Sequence, residues 1–154
     1  MSARFRVLTV GRSRCDWADE AVADYARRLR RHGGVTEEAV RAETFRGDVD
    51  AVREAEAQRL LGRVGPRDAL VVLDERGEAL DTEAFARLVD DTRQRGTAVF
   101  ALGGAYGHAE ATRRAAHRVI RLSDLVLNHE VARVVLYEQL YRAMTLLSGA
   151  PYHH

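Results

Sequence analysis

The sequence predicts an α/β domain, a mainly parallel sheet flanked by helices. Three observations carry that expectation. Short runs of branched and aromatic residues (FRVLTV, DALVVLD, TAVFAL) alternate with longer stretches whose apolar residues recur at helical spacing. Two of the runs, DALVVLD and TAVFAL, are apolar almost throughout, the pattern of parallel strands covered on both faces. The chain of 154 residues shows no internal repeat, low-complexity tract or linker, so a single domain spanning 1–154 is expected.

The elements follow in order. FRVLTV reads as a strand stopped by Gly11, and DWADEAVADYARRLRRHGG as a helix with Trp17, Ala21, Val22, Tyr25 and Leu29 along one face. Gly33 and Gly34 end that helix. VTEEAVRAETF, short and glycine-bounded, reads as a strand. DVDAVREAEAQRLLGRV is an amphipathic helix closing between Gly62 and Pro66. The buried strand DALVVLD precedes a helix in DTEAFARLVDDTRQRG, with Asp81 or Thr82 as its cap and Gly96 as its stop. TAVFAL runs into the turn GGAYG, HAEATRRAA is a short helix, and HRVIRL is the last strand. A loop, SDLVLNH, leads to the final helix EVARVVLYEQLYRAMTLL, with Asn128 as N-cap and Glu130 well placed in the first turn.

Composition narrows the function. With 46% apolar and 31% charged residues the chain has the make-up of a globular protein, neither disordered nor membrane-embedded. No apolar run approaches the ~20 residues of a membrane span, and MSARFRVLTVGR lacks the long apolar core of a secretory signal. A lone cysteine, Cys15, precludes an internal disulfide and suits a reducing compartment, so a cytoplasmic protein is expected. Every one of the 24 basic residues is arginine, and net charge is only +1. Residues 1–31 carry 8 arginines against 4 acids, 32–110 carry 10 against 16, and 111–154 carry 6 against 3. A basic surface for nucleic acid therefore has to be assembled from the two ends of the chain, or across subunits.

Ligands of open α/β sheets bind beyond the carboxyl ends of the strands. LDERG, LGGAYG and LSDLVLNH are expected there, in the second half of the chain. This disfavours the ordinary dinucleotide fold, whose glycine-rich turn follows the first strand, where only Gly11-Arg12-Ser13 stands. There is no GK[ST] phosphate loop and no zinc-ligand spacing, so no metal is expected. His108 and His117 read as structural or exposed residues, and His32 ends an arginine-rich helix. The last helix is apolar nearly all round yet carries Arg133, Glu138 and Arg142, charges that point to a site or an interface. The ending LSGAPYHH has the look of a frayed end or a tag remnant when taken alone.

Taken in order, LGGAYG, LSDLVLNHEVARVVLYEQLYRA and the terminal PYHH resemble the small SPOUT-superfamily methyltransferases of the RlmH type. The resemblance begins at VLTVGR and spans nearly the whole chain. It implies an α/β-knot fold with a C-terminal trefoil knot, S-adenosyl-L-methionine as cofactor, and a homodimer whose active site is completed across the interface. It implies methylation of N3 of a pseudouridine in large-subunit (23S) ribosomal RNA, and the small net charge points to the assembled ribosome as substrate. By position, Leu73, Gly103, Gly104, Leu122, Ser123, Asp124, Leu125, Val126 and Leu127 would bind the cofactor. Arg142 would stabilise negative charge on the base or anchor phosphate, His153 or His129 would accept the N3 proton, and Tyr152 would stack on the base. Departures from the family pattern are Asn128 in place of a frequent proline, His108 in place of a common leucine, and the acidic Glu130. Two other readings fit the same motifs: methylation of another RNA such as tRNA, and a non-catalytic ribosome- or RNA-binding module.

Overall fold

The computed structural model describes residues 4–154. Its strands are β1 (Phe5–Val10), β2 (Val35–Val40), β3 (Asp68–Ala79), β4 (Thr97–Leu102) and β5 (Arg118–Arg121). The helices are α1 (Asp16–Leu29), α2 (Val49–Leu61), α3 (Thr82–Arg95), α4 (Glu110–Ala115) and α5 (His129–Ser148). The five strands form one sheet in the order β2-β1-β4-β3-β5, and every pairing is parallel.

Period-two alternation explains the near-continuous apolar strands. Phe5, Val7, Val71, Leu73, Ala98, Phe100 and Leu102 point to one face, where they meet α3 residues Phe85 and Val89 and α5 residues Leu136, Leu140 and Met144. The intervening Leu8, Leu70, Val72, Val99 and Ala101 form a second core on the opposite face with Leu60 of α2. Helices α1 and α3 both pack against α5, which is why that helix is so apolar. Caps fix the helix starts. Asp48 accepts from the Asp50 and Ala51 amides, Asp81 from Ala84 N, and Asn128 from Glu130 N.

Two elements depart from their expected spans. VTEEAVRAETF is strand only over Val35–Val40, and its polar RAETF half forms the loop toward α2. DERGEA does not form a loop beyond a seven-residue strand; β3 continues through it to Ala79. Between Leu73 and Glu78 the register against β5 shifts, so that Ile120 is paired with both residues. The intervening segment bulges and returns against the Ile120 backbone. It can approach that closely because residue 77 is glycine: a Cβ there would lie 2.5–2.7 Å from Ile120 C, Cα and N. Arg121 Nη1 donates to Gly77 O at 3.2 Å and holds the two segments together.

Candidate active site

A cleft of about 510 Å³ opens beside the middle of β3, at the ends of β4 and β5 and the start of α5. Leu73 lines it from β3, Leu102, Gly103 and Gly104 from β4 and its turn, and Leu122, Ser123, Leu125, Val126 and Leu127 from the loop after β5. Asp124, expected among them, does not line it: its carboxylate is turned out to accept from Arg121 Nε at 2.8 Å. Ser123 Oγ accepts from Leu125 N, which tightens the loop and leaves Leu125 and Val126 78% and 80% exposed at the cleft mouth.

The glycines are there for room. A Cβ on Gly104 would meet Glu56 Oε1 at 2.8 Å and Val10 Cγ1 at 3.0 Å, and one on Gly103 would meet His108 Cδ2 at 3.2 Å. Gly107, at φ +79°, closes the turn by donating to Gly104 O at 3.0 Å. His108 is buried under this turn with Nε2 3.2 Å from Ala101 O and Nδ1 without a partner. Burial holds its pKa below the ordinary histidine value, so the ring is a neutral strut at neutral pH.

These features fit S-adenosylmethionine. The volume is that of a small-molecule site, the loop offers apolar side chains to a flat base, and the bare Gly103–Gly104 backbone permits close approach. Asp74 and Glu75 stand on the same wall for a cationic ligand, although Asp74 is shared with Arg113 at 3.2 Å.

A smaller recess of about 50 Å³ adjoins the cleft, and Leu102, Gly103 and His129 border both. Gly11, Arg12 and Ser13 form its other wall with Glu130 and Arg133. The Ser13 hydroxyl donates to Glu130 at 2.5 Å, binding the first strand's exit to the start of α5. Arg133 is not a free charge. Its guanidinium donates to Glu37 at 3.0 Å and 3.2 Å and to Asp19 at 2.8 Å, and Tyr137 OH donates to Glu37 at 2.5 Å. The hydrogen bond from Arg133 holds the Asp19 carboxyl below the usual range. Burial, then Glu37, pushes the Tyr137 phenol up. Arg133 thus sits in an internal network while also lining the recess.

The tail is ordered. Gly149 caps α5 in the left-handed region (φ +75°), and Ala150 N returns to Thr145 O. Glu138 accepts from Arg142 Nε at 3.2 Å and from Tyr152 OH at 3.3 Å. Arg142 lies 4.7 Å over the Tyr152 ring, and its Nη1 donates to His153 Nδ1 at 2.9 Å. Tyr152 also packs edge-on to Tyr141 and meets the Tyr25 hydroxyl at 3.4 Å. Burial, followed by its bond with Tyr25, pushes the Tyr152 phenol up, so it stays a neutral donor. Arg142, Tyr152 and His153 therefore form one cluster. His129 is not part of it: thirteen residues of helix at 1.5 Å each separate it from Arg142 by about 20 Å. Within one chain, the cluster and the cleft stand at opposite ends of α5.

Sequence reasoning missed Ser13, Glu56 and the partners of Arg133, all joined to their contacts only through the fold. A stacked pair, Phe45 and Tyr106 (centroids 5.4 Å apart), also went unremarked. The sequence placed Phe45 at the end of an expected strand and Tyr106 in the glycine turn, and no local pattern joins the two.

Comparisons with known proteins follow the same lines. The family model described as "Predicted SPOUT methyltransferase" matches residues 3–153. The Ribosomal RNA large subunit methyltransferase H of Pelobacter propionicus is 43% identical over 154 residues, covering 98% of this chain and 99% of that protein. Its counterpart in Geobacter sulfurreducens is 41% identical over 155 residues, with 98% and 99% covered. Among solved structures, a "Probable Methyltransferase" from Bordetella pertussis Tohama I aligns with TM-score 0.58 at 22% identity, covering 92% of this chain and 96% of that one, a likeness of fold.

Proposed function

This chain belongs to the SPOUT methyltransferase family, and from that premise we propose that it methylates N3 of a pseudouridine in large-subunit (23S) ribosomal RNA, acting on assembled ribosomes. The observation that carries the reading is the large cleft where the middle of β3 meets the ends of β4 and β5. Leu73, Gly103, Gly104 and the loop of Leu122, Ser123, Leu125, Val126 and Leu127 all border it. S-adenosylmethionine would be held there and supplies an electrophilic methyl group. Asp124 contributes through Arg121, which anchors the loop to Gly77. A trefoil knot would fix this loop, a reading supported by the close approach of Gly77 to the Ile120 backbone and the register shift beside it.

The cluster at the far end of α5 supports a homodimer. About 20 Å of helix keeps Arg142, Tyr152 and His153 from their own cleft, so the partner's tail has to complete it. Val131 on α5, Trp17 on α1, and Leu125 and Val126 on the loop are exposed large apolar side chains around the start of α5 that a second copy would cover. With +1 net charge, affinity for free RNA would be low, and the folded ribosome would supply most of the recognition surface.

Chemistry follows from the cluster's hydrogen bonds. Because Arg142 donates to His153 Nδ1, that nitrogen is an acceptor and the proton of the neutral ring resides on Nε2. When Arg142 turns to the substrate base it stabilises the charge developing on the base carbonyls and releases Nδ1 to take the N3 proton. Glu138 holds Arg142 and Tyr152 in place, and Tyr152 offers its ring to the base. His129, exposed where cleft and recess meet, is the second proton acceptor to test. Full methylation of ribosomes by His153→Ala with loss in His129→Ala would transfer the role. Comparing methyl incorporation into ribosomes, protein-free rRNA and tRNA tests the substrate. Failure of the folded protein to bind S-adenosylmethionine in calorimetry would favour a non-catalytic module.

A further inference from the structure

Phe45 and Tyr106 are stacked on each other at an interplanar angle of 28° and remain 48% and 39% exposed. Tyr106 also lines the large cleft, so the pair stands on its rim. Rings that only filled a core would be covered. These are held open by α2. Arg53 Nε donates to Tyr106 O at 2.7 Å, and Glu56 Oε2 accepts from Glu43 N at 3.0 Å while its Oε1 abuts Gly104. Arg59 Nη1 donates to Arg41 O at 3.0 Å. Loop 41–46 and the Gly103–Gly107 turn are thus fastened to one helix, and the aromatic platform is preorganised.

The rim also carries exposed positive charge. Gly11 N donates to Val40 O at 2.7 Å, so the exits of β1 and β2 run side by side. Arg12, Arg14, Arg41 and Arg46 on these exits are exposed, and none enters an ion pair among the described residues. Three acids of the β2–α2 segment are engaged: Glu43 with Arg59, Asp48 capping α2, and Asp50 with Arg53. Free guanidinium groups beside an exposed aromatic stack match the phosphates and bases of a single-stranded nucleic acid.

We propose that this rim binds the RNA strand flanking the target nucleotide, with Phe45 and Tyr106 stacking a base and Arg12, Arg14, Arg41 and Arg46 contacting phosphates. The proposal rests on the RNA-methyltransferase reading. Its test measures binding of a fluorescein-labelled single-stranded RNA of about 12 nucleotides as a function of salt, together with ribosome methylation kinetics. Phe45→Ala is expected to weaken RNA binding at least about five-fold with an unchanged salt slope, and Phe45→Trp to restore it. Replacing the four arginines by alanine is expected to flatten the log–log salt slope by about 0.7 per lost phosphate contact. On ribosomes, KM should rise in both variants with kcat held. Wild-type affinity and slope in both variants, or no RNA binding by the wild type at low salt, would overturn the proposal. So would a shift of Phe45→Ala to a smaller species in size-exclusion chromatography with RNA binding intact, which would make the rim a contact between copies. A wild-type protein that binds the oligonucleotide through this rim yet leaves ribosomes unmethylated would refute the ribosomal reading and keep the rim.

Discussion

Gly77→Ala should destabilise the protein and loosen the cofactor loop together. Elsewhere in a strand, exchanging glycine for alanine stabilises by about 0.5 kcal/mol through the unfolded chain. Here the added methyl would stand 2.5–2.7 Å from three backbone atoms of Ile120. Ordinary carbon contacts lie near 3.5–4.0 Å, so the two segments must part by roughly 1 Å. Overpacking costs about 1–3 kcal/mol where side chains can give way. The obstacle here is main chain, paired to Leu73 on one side and Glu78 on the other. The upper end, about 3 kcal/mol, is therefore expected, and the shift passes directly into Leu122–Leu127. Urea unfolding gives the first quantity, and calorimetric titration with S-adenosylhomocysteine gives the second, expected to weaken at least about ten-fold. Wild-type stability with affinity within two-fold would refute the Gly77–Ile120 contact as the feature that fixes the cleft.

Arg133→Met removes the shared donor of Glu37 and Asp19 and should lower stability in urea unfolding by about 1 kcal/mol, since Arg133 itself is buried while both carboxylates keep access to water. His108 contributes a pH dependence. Its folded pKa is depressed by burial, so below the unfolded value near 6.5 the unfolded chain binds a proton that the folded chain refuses. The stability present above that pH is lost as pH falls, by up to about 1.4 kcal/mol per pH unit, and His108→Leu should lack this component when unfolding is compared at about pH 7.5 and 5.5. Removing residues 151–154 should leave the melting temperature and S-adenosylhomocysteine binding near wild type while methyl transfer falls about a hundred-fold or more. Unimpaired turnover would exclude Tyr152 and His153 from the chemistry.

What the sequence revealed depended on how local each signal was. TAVFAL and DALVVLD declared themselves as two-faced strands, and Asp81 and Asn128 as caps, because those patterns are complete within a few residues. DERGEA did not, since its charged residues resemble a loop and only pairing with a strand some 40 positions later makes it sheet. The partners of Arg133 were hidden for the same reason: Glu37 and Asp19 lie 96 and 114 positions away. The ordered motifs of the glycine turn, the apolar loop and the terminal PYHH carried the family, and the structure gathers the first two at one cleft. It places Tyr152 and His153 beside Arg142 at the other end of α5, a separation no motif could reveal because it depends on helix length and on a second copy.

The most direct test of the account is methylation of ribosomes lacking the modification, using labelled S-adenosylmethionine and mass-spectrometric mapping of the product. The account predicts one methyl group at N3 of a pseudouridine in large-subunit RNA, with assembled ribosomes preferred over protein-free rRNA. Label in tRNA instead, or no label from folded protein that binds S-adenosylmethionine, would contradict it.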